Sequence, residues 1–345
     1  MGRYSDVIAV LIVALIILIV IPVPTILIDI LLTLNISLSL VIFLLSMYIK
    51  DSLQFSVFPT ILLITTLFRL CLNFSTTRLI LGEGYAGEVV NAFGNFVTGS
   101  NPIVGFIMFL ILVIVQYVVI TKGAERVSEV SARFTLDAMP GKQMAIDADL
   151  NSGLINEMEA KERRKAIQQE ADFYGAMDGA SKFVKGDAIA GIIITVINII
   201  GGFAIGMLQM DLEFTESLSK FTNLTIGDGL VTQIPALLVS IAAGMVVTRA
   251  ASNSDLGTDI IIQLLSEPKV LYIASGALFI LAFTGLPPVP NIILACLLAF
   301  LGYTLRRTIK AAQKEEEIKA QDVEVEEIRK PENVMSLLQV DPIEL

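Results

Sequence analysis

The residues of this 345-residue chain with the means to do chemistry are charges set in or beside long apolar runs. Asp29 lies in "TILIDILLTLNISLSL", and Arg69 closes "TILLITTLFRLCLNF". Asp187 and Asp228 share a local form, "KGDAIAG" and "IGDGLVTQIPALL", each a Gly-Asp leading into an apolar stretch. Lys182 and Lys185 stand just before Asp187. A charge at the centre of a bilayer costs about 2.5–3.5 kcal/mol on insertion scales, so each needs a reason. The chemistry open to carboxylates and cations at that depth is the movement of protons or ions. Burial drives a carboxyl group towards its neutral form and a nearby cation opposes this, so such a group can change charge as ions pass.

Each position also has a plainer reading. Asp29 sits near a helix start, where the helix dipole tolerates an anion. Aspartate is a favoured N-cap, so Asp187 and Asp228 read equally well as caps of the spans they precede, with Lys182 and Lys185 as cytoplasmic-side lysines. Asn73, Thr76 and Thr77 follow Arg69 at helical spacings and extend a polar stripe. Arg78 falls on the opposite face of an unbroken helix. Either the helix breaks near Ser75 or the two arginines serve different neighbours, and snorkelling to the outer interface also accommodates Arg78.

Other chemistries are excluded or disfavoured. The chain has no histidine, which removes Ser-His-Asp and Cys-His catalysis and His-dependent metal motifs. Its two cysteines make neither a metal pattern nor a disulfide framework. No Gly-rich loop ending in Gly-Lys-Ser/Thr is present. Two membrane aspartates suggest an aspartyl protease sharing a proton, but Asp187 and Asp228 are expected to enter from opposite sides, and a Gly-x-Gly-Asp motif is missing. We expect no enzyme activity, no cofactor and no metal. The net charge of −10 argues against a nucleic-acid partner.

The elements that position these charges are membrane helices. The chain is 54% hydrophobic with mean hydropathy +0.76, and about 20 apolar residues suffice to cross a bilayer. The expected fold is all-α and polytopic, with eight spans near 7–21, 26–48, 55–72, 103–120, 188–208, 230–248, 270–286 and 289–305. Four fall within residues 1–120 and four within 188–308. Between them, residues 121–187 form a cytoplasmic loop rich in helix formers. Ten basic residues lie in that loop, including Arg126 and Arg133, whereas 211–229 holds only Lys220. The positive-inside rule then makes the loop and both termini cytoplasmic. Residues 309–345 begin as an acidic linker, and the apolar turn at "VMSLLQVDPIEL" reads as the approach to a further domain. Gly and Ala in "AGIIITVINIIGGFAIGML" allow close helix packing.

Three stretches, "RLCLNFSTTRLIL", "VVITKGAERVSEVSARFTLDAMPGKQMAIDADLNSGLI" and "MDGASKFVKGDAIAGIIITVINIIGG", resemble the FHIPEP export-gate family of flagellar and virulence type III secretion systems. "NAFGNFVTGSN" and "VMSLLQVDPIEL" are more similar to the flagellar branch. The resemblance implies a bacterial inner-membrane protein, without catalytic chemistry of its own, that couples proton or sodium motive force to the export of unfolded proteins. It implies a homo-oligomeric ring, typically a nonamer, with other membrane components of the gate. It also implies an export ATPase complex and chaperone–substrate complexes that dock mainly on a large C-terminal domain. Asp29, Arg69, Arg78, Lys182, Asp187 and Asp228 match the family's membrane-associated charges, with Lys185 in place of a common arginine. Arg126, Arg133 and Asp137 match positions of its cytoplasmic loop. On this reading Asp187 is a switch whose protonation releases Lys182 and shifts the loop helix. The alternatives are a ring scaffold without ion conduction and the virulence homologue; a small-solute transporter is disfavoured by the lack of an internal repeat.

Overall fold

The computed structural model describes residues 2–99, 101–249, 254–283 and 287–307. Among them the regular structure is helical, as expected: α1 (Gly2–Val20), α2 (Thr25–Tyr48), α3 (Phe58–Glu83), α4 (Glu88–Thr98), α5 (Pro102–Val115), α6 (Lys122–Asn151), α7 (Glu157–Leu208), α8 (Phe214–Thr248), α9 (Leu256–Leu264), α10 (Pro268–Leu281) and α11 (Pro288–Arg307). The acidic linker expected at 309–345 lies outside the described residues.

Local chemistry sets the boundaries. The Asn101 side chain accepts hydrogen bonds from the amides of Ile103 and Val104 at the start of α5, with Pro102 in the first turn. Asn156 caps α7 by accepting from the Glu159 amide, and Glu157 and Glu159 favour the positive end of that helix. Between α5 and α6 the helix does not stop. Gln116–Thr121 form one π-helical stretch, and the rod continues into α6.

Six helices among the described residues are long and apolar enough to cross a membrane, or seven if the pair Leu256–Gln263 and Pro268–Leu281, bent by 70°, is one span. Eight were expected. The seventh expected span, 270–286, is the one that departs most, because α10 ends at Leu281 after 14 residues. The expected first span, 7–21, falls on the 19-residue α1 (Gly2–Val20) and one residue past its end, and α1 is not among the six.

Residues 1–257 and 258–345 form two separate units. In the first, α3 and α8 lie at the centre, with 61% of their apolar windows buried against 11% for α7 and 17% for the rod containing α5. One apolar cluster gathers Phe58, Leu62, Phe173, Met177, Val184 and Val246; another gathers Ile28, Leu32, Leu72, Ile80, Val90 and Phe221. Glycines let the helices touch. A Cβ on Gly227 would collide with the Val90 carbonyl, so α4 and α8 cross backbone to backbone. In the second unit, Ser275 of α10 donates to the Ala295 carbonyl of α11 at 2.8 Å.

The cytoplasmic loop of the sequence reading is a helical hairpin. At 1.5 Å per residue the 52 residues of α7 extend about 78 Å, far more than a hydrocarbon core of about 30 Å. Cross-helix pairs keep one register: Glu125–Lys185, Lys142–Glu170 and Asp149–Arg163. No break separates Asp187 from Ala188, since both lie inside α7.

Candidate functional site

Asp187 is not a helix cap. It sits 30 residues into α7, and Asp228 sits 14 residues into α8. The Gly-Asp pattern suggested starts, but helix-forming sequence upstream carries both helices through it. Nor is α3 broken near Ser75; it runs continuously from Phe58 to Glu83. Arg69 and Arg78 therefore face different neighbours.

Arg69 projects from α3 onto Asp187 of α7. Its Nε donates to Asp187 Oδ2 at 2.6 Å, and a terminal guanidinium nitrogen donates to the same oxygen. Both side chains are 3% exposed. Such a pair is an expensive way to hold two helices, since desolvation of both ions offsets much of their attraction. Breaking it by removing one partner costs far more, because a lone charge is left inside.

The expected partners of Asp187 are engaged elsewhere. Lys182 donates to Asp178 at 2.7 Å and Lys185 to Glu125 at 3.0 Å. A release of Lys182 from Asp187 is therefore ruled out by geometry. On a helix, positions five and two residues before Asp187 lie about 140° and 160° around the axis.

Beside the ion pair is a cavity of about 40 Å³, room for at least one water-sized guest. Its polar lining comes from Asn73 on α3, Gln116 at the start of the π turn, Thr195 on α7, and Thr232 and Gln233 on α8. Gln116 Nε2 donates to the Gln233 backbone carbonyl at 3.0 Å. A π turn widens the helix locally and is common at functional sites; here it begins at the residue that reaches the cavity.

The second carboxylate lies further along. Asn198 Nδ2 donates to Asp228 Oδ2 at 3.3 Å, with Thr76 alongside. Asn198 is 11 residues beyond Asp187, so the two carboxylates are separated by about 16 Å along α7. Between their levels run the buried polar residues Arg69, Asn73 and Thr76 of α3. The polar stripe expected on α3 thus joins Asp187 to Asp228.

Asp29 and Arg78 make structural ties. Asp29 accepts from the backbone amides of Glu88 and Val89 at 3.0 and 2.9 Å, capping α4 from a different helix. Gly87 sits against that carboxylate at φ 108°, where a side chain would be strained and would also strike it. Arg78 donates to the carbonyls of Ile19 and Val20 at the end of α1, and its guanidinium lies 5.5 Å from the Phe74 ring centroid. It clasps a helix C-terminus, a favoured place for a cation, rather than snorkelling. On the hairpin, Arg126 pairs with Glu129 at 2.8 Å, while Arg133 and Asp137 are exposed.

Sequence reasoning missed Gln116, Asn198, Thr195, Thr232 and Gln233. For two of them a signal existed: Gln116 in "LVIVQYVVI" and Asn198 in "TVINII" are lone amides within apolar runs.

A multi-span helical membrane protein, with an ion pair and a second carboxylate buried along one internal polar track, is the class that this fold and site define. A family model described as the FHIPEP family matches residues 15–345, and the chain belongs to that family. It is 59% identical over 305 residues to the flagellar biosynthesis protein FlhA of Bacillus subtilis, covering 88% of this chain and 45% of that protein. It is 51% identical over 288 residues to FlhA of Salmonella typhimurium, covering 81% and 41%. The low calcium response locus protein D of Yersinia pestis is 51% identical over 313 residues, covering 89% and 44%. The flagellar branch expected from the motifs is that of the Bacillus relative. The chain spans less than half the length of these curated relatives, and no solved structure matches it.

Proposed function

We propose that this chain is the membrane part of an export-gate component of a flagellar type III protein export apparatus in the bacterial inner membrane, coupling proton or sodium motive force to the export of unfolded proteins. The observation that carries this reading is the Arg69–Asp187 pair, buried at one end of a polar track that leads to Asp228. Structural stability alone does not call for such a pair, whereas a site that must change charge does.

In this reading ions enter near Asp228, at the level where Asp29 and Arg78 position α4 and α1, and pass along Asn198, Thr76 and Asn73 to Asp187. Neutralising Asp187 releases Arg69, not Lys182. Because α7 is one uninterrupted rod, a shift at Asp187 reaches the hairpin tip about 45 Å away. Arg126, Arg133 and Asp137 lie on the paired helix, where a partner would sense that shift. Both termini face the cytoplasm, and the chain assembles as a ring, nonameric by family resemblance, with other membrane components of the gate. Docking of the ATPase complex and chaperone–substrate complexes falls mainly to the length of the relatives that this chain does not span.

The test is Asp187→Asn in the full-length protein. Export and ion flux through reconstituted protein are expected to be lost while the ring still assembles. Normal export and flux would remove the switch role. Loss of assembly together with export would instead favour a scaffold whose charges only hold it together.

A further inference from the structure

We infer that the hairpin of α6 and α7 docks side by side on the hairpin of a second copy of this chain, with Phe134 of one copy seated against Gly175, Ala176 and Gly179 of the next. The contact deepens the proposed reading and rests on it in one respect, that the chain assembles as a ring. The surfaces that meet follow from the hairpin itself.

α6 carries two faces of apolar and small residues. One, with Ser128, Ala132 and Ile146, is buried. The other consists of Val127, Phe134, Ala138, Gly141, Ala145 and Ala148, all of them exposed. Val127, Phe134, Gly141 and Ala148 recur every seven residues, and Ala138 and Ala145 each follow one turn later. That is the spacing of a seam that takes a second helix. Helical geometry places it about 130° round from the buried face, and no charge interrupts it. Phe134 is 69% exposed. Outside the spans this surface meets water rather than lipid, where an apolar stripe marks a protein contact.

The complement lies on α7. Gly175, Ala176, Gly179, Phe183 and Gly186 are exposed, and a Cβ added at any of these three glycines would meet nothing within 4 Å. The face is a shallow trough with Phe183 near its membrane end. The two faces match in height. By the cross-helix pairs Glu125–Lys185, Lys142–Glu170 and Asp149–Arg163, Phe134 stands level with positions 176–178, between Gly175 and Gly179. By the same pairs Val127 stands level with positions 183–185, at Phe183. The large side chain of each face is thus at the height of smaller residues on the other, as knobs and holes require.

Within one chain the two faces do not meet, because each turns away from the seam between α6 and α7. Between copies they do. All copies stand in one bilayer in one orientation, so equal heights are kept from copy to copy. The match in height is what selects a second copy as the occupant, since an unrelated protein has no reason to share it. A contact between two α6 faces would set Phe134 against Phe134 and leave the α7 trough empty. A contact between unlike faces without rise along the rod is heterologous, and it closes into a ring instead of climbing into a filament.

Disulfide trapping in purified full-length protein tests this, with Cys296→Ser and any other exposed thiol removed; Cys71 is buried. Phe134→Cys combined with Ala176→Cys is expected to give a ladder of covalent multimers under mild oxidation, because the contact brings the two positions within disulfide range. Each single variant is expected to run as a monomer on a denaturing gel. A ladder from Phe134→Cys alone means that like faces meet, and it overturns the inference. Absence of a ladder from the double variant overturns it too, whether the protein assembles through other surfaces or stays a monomer. As a second arm, Phe134→Glu should lower the assembled fraction about tenfold by burying a lone charge, and adding Ala176→Lys should restore it. Thermal melting checks that both variants fold, as exposed positions allow. Unchanged assembly of a folded Phe134→Glu variant also overturns the inference. If rings form without the ladder and Asp187→Asn still abolishes export, the contact falls and the export-gate reading stands. If the ladder forms yet Asp187→Asn exports normally, the coupling reading falls and the contact stands.

Discussion

At the scale of single residues, the account turns on which charges are machinery and which are joints. Arg69 and Asp187 are buried against each other, so removing either leaves a lone ion inside. Arg69→Ala or Asp187→Ala should each destabilise the first unit by about 3–5 kcal/mol in denaturant unfolding. Asp29 is a joint. It accepts two backbone amides at the start of α4, one on each carboxylate oxygen, and asparagine has a single oxygen to offer them. Asp29→Asn should keep part of the cap and most export, whereas Asp29→Ala should lose about 1 kcal/mol. The exposed hairpin pairs are different again. Arg164→Ala, which breaks the pair with Asp147, should change stability by less than about 1 kcal/mol, because exposed ion pairs contribute little.

At the scale of elements, close helix crossings hold the track together. Gly227→Ala places a methyl group against the Val90 carbonyl and should separate α4 from α8, costing about 1–3 kcal/mol through overpacking. Loss of cooperativity in thermal unfolding would accompany it; an unchanged melt would contradict the observed crossing. Much of this level was legible in sequence, because apolar runs of 20 residues state their own role. The charged positions were equally conspicuous, since nothing else in those runs competes with them. What the sequence concealed was pairing. Asp187 is 118 residues from Arg69 but five or fewer from two lysines, so proximity along the chain pointed to the wrong cation. Helical geometry turns those lysines away from it, but that argument requires α7 to begin before Asp187. The Gly-Asp pattern, a good cap signal, suggested that it began there.

At the scale of the whole molecule, the long rods matter most. The rod of α5, the π turn and α6 meets the cavity at Gln116, and α7 meets it at Asp187 and Thr195. Both then run on, in register, as a hairpin outside the spans. An event at one buried carboxylate thus has a mechanical route out of the bilayer without a hinge. The loop was legible in sequence as helical, but not as an extension of two spans, because composition changes sharply at 121 and 187 while the backbone does not.

The most direct test of the central claim, that the Arg69–Asp187 pair is working machinery rather than structural cement, is the double variant Arg69→Met with Asp187→Leu in the full-length protein. An apolar pair of similar size in place of a buried ion pair is commonly neutral or stabilising. Unfolding stability, ring assembly and export would be measured on the same variant. The account predicts wild-type or higher stability, normal assembly and no export. Normal export from a stable, assembled double variant would contradict it.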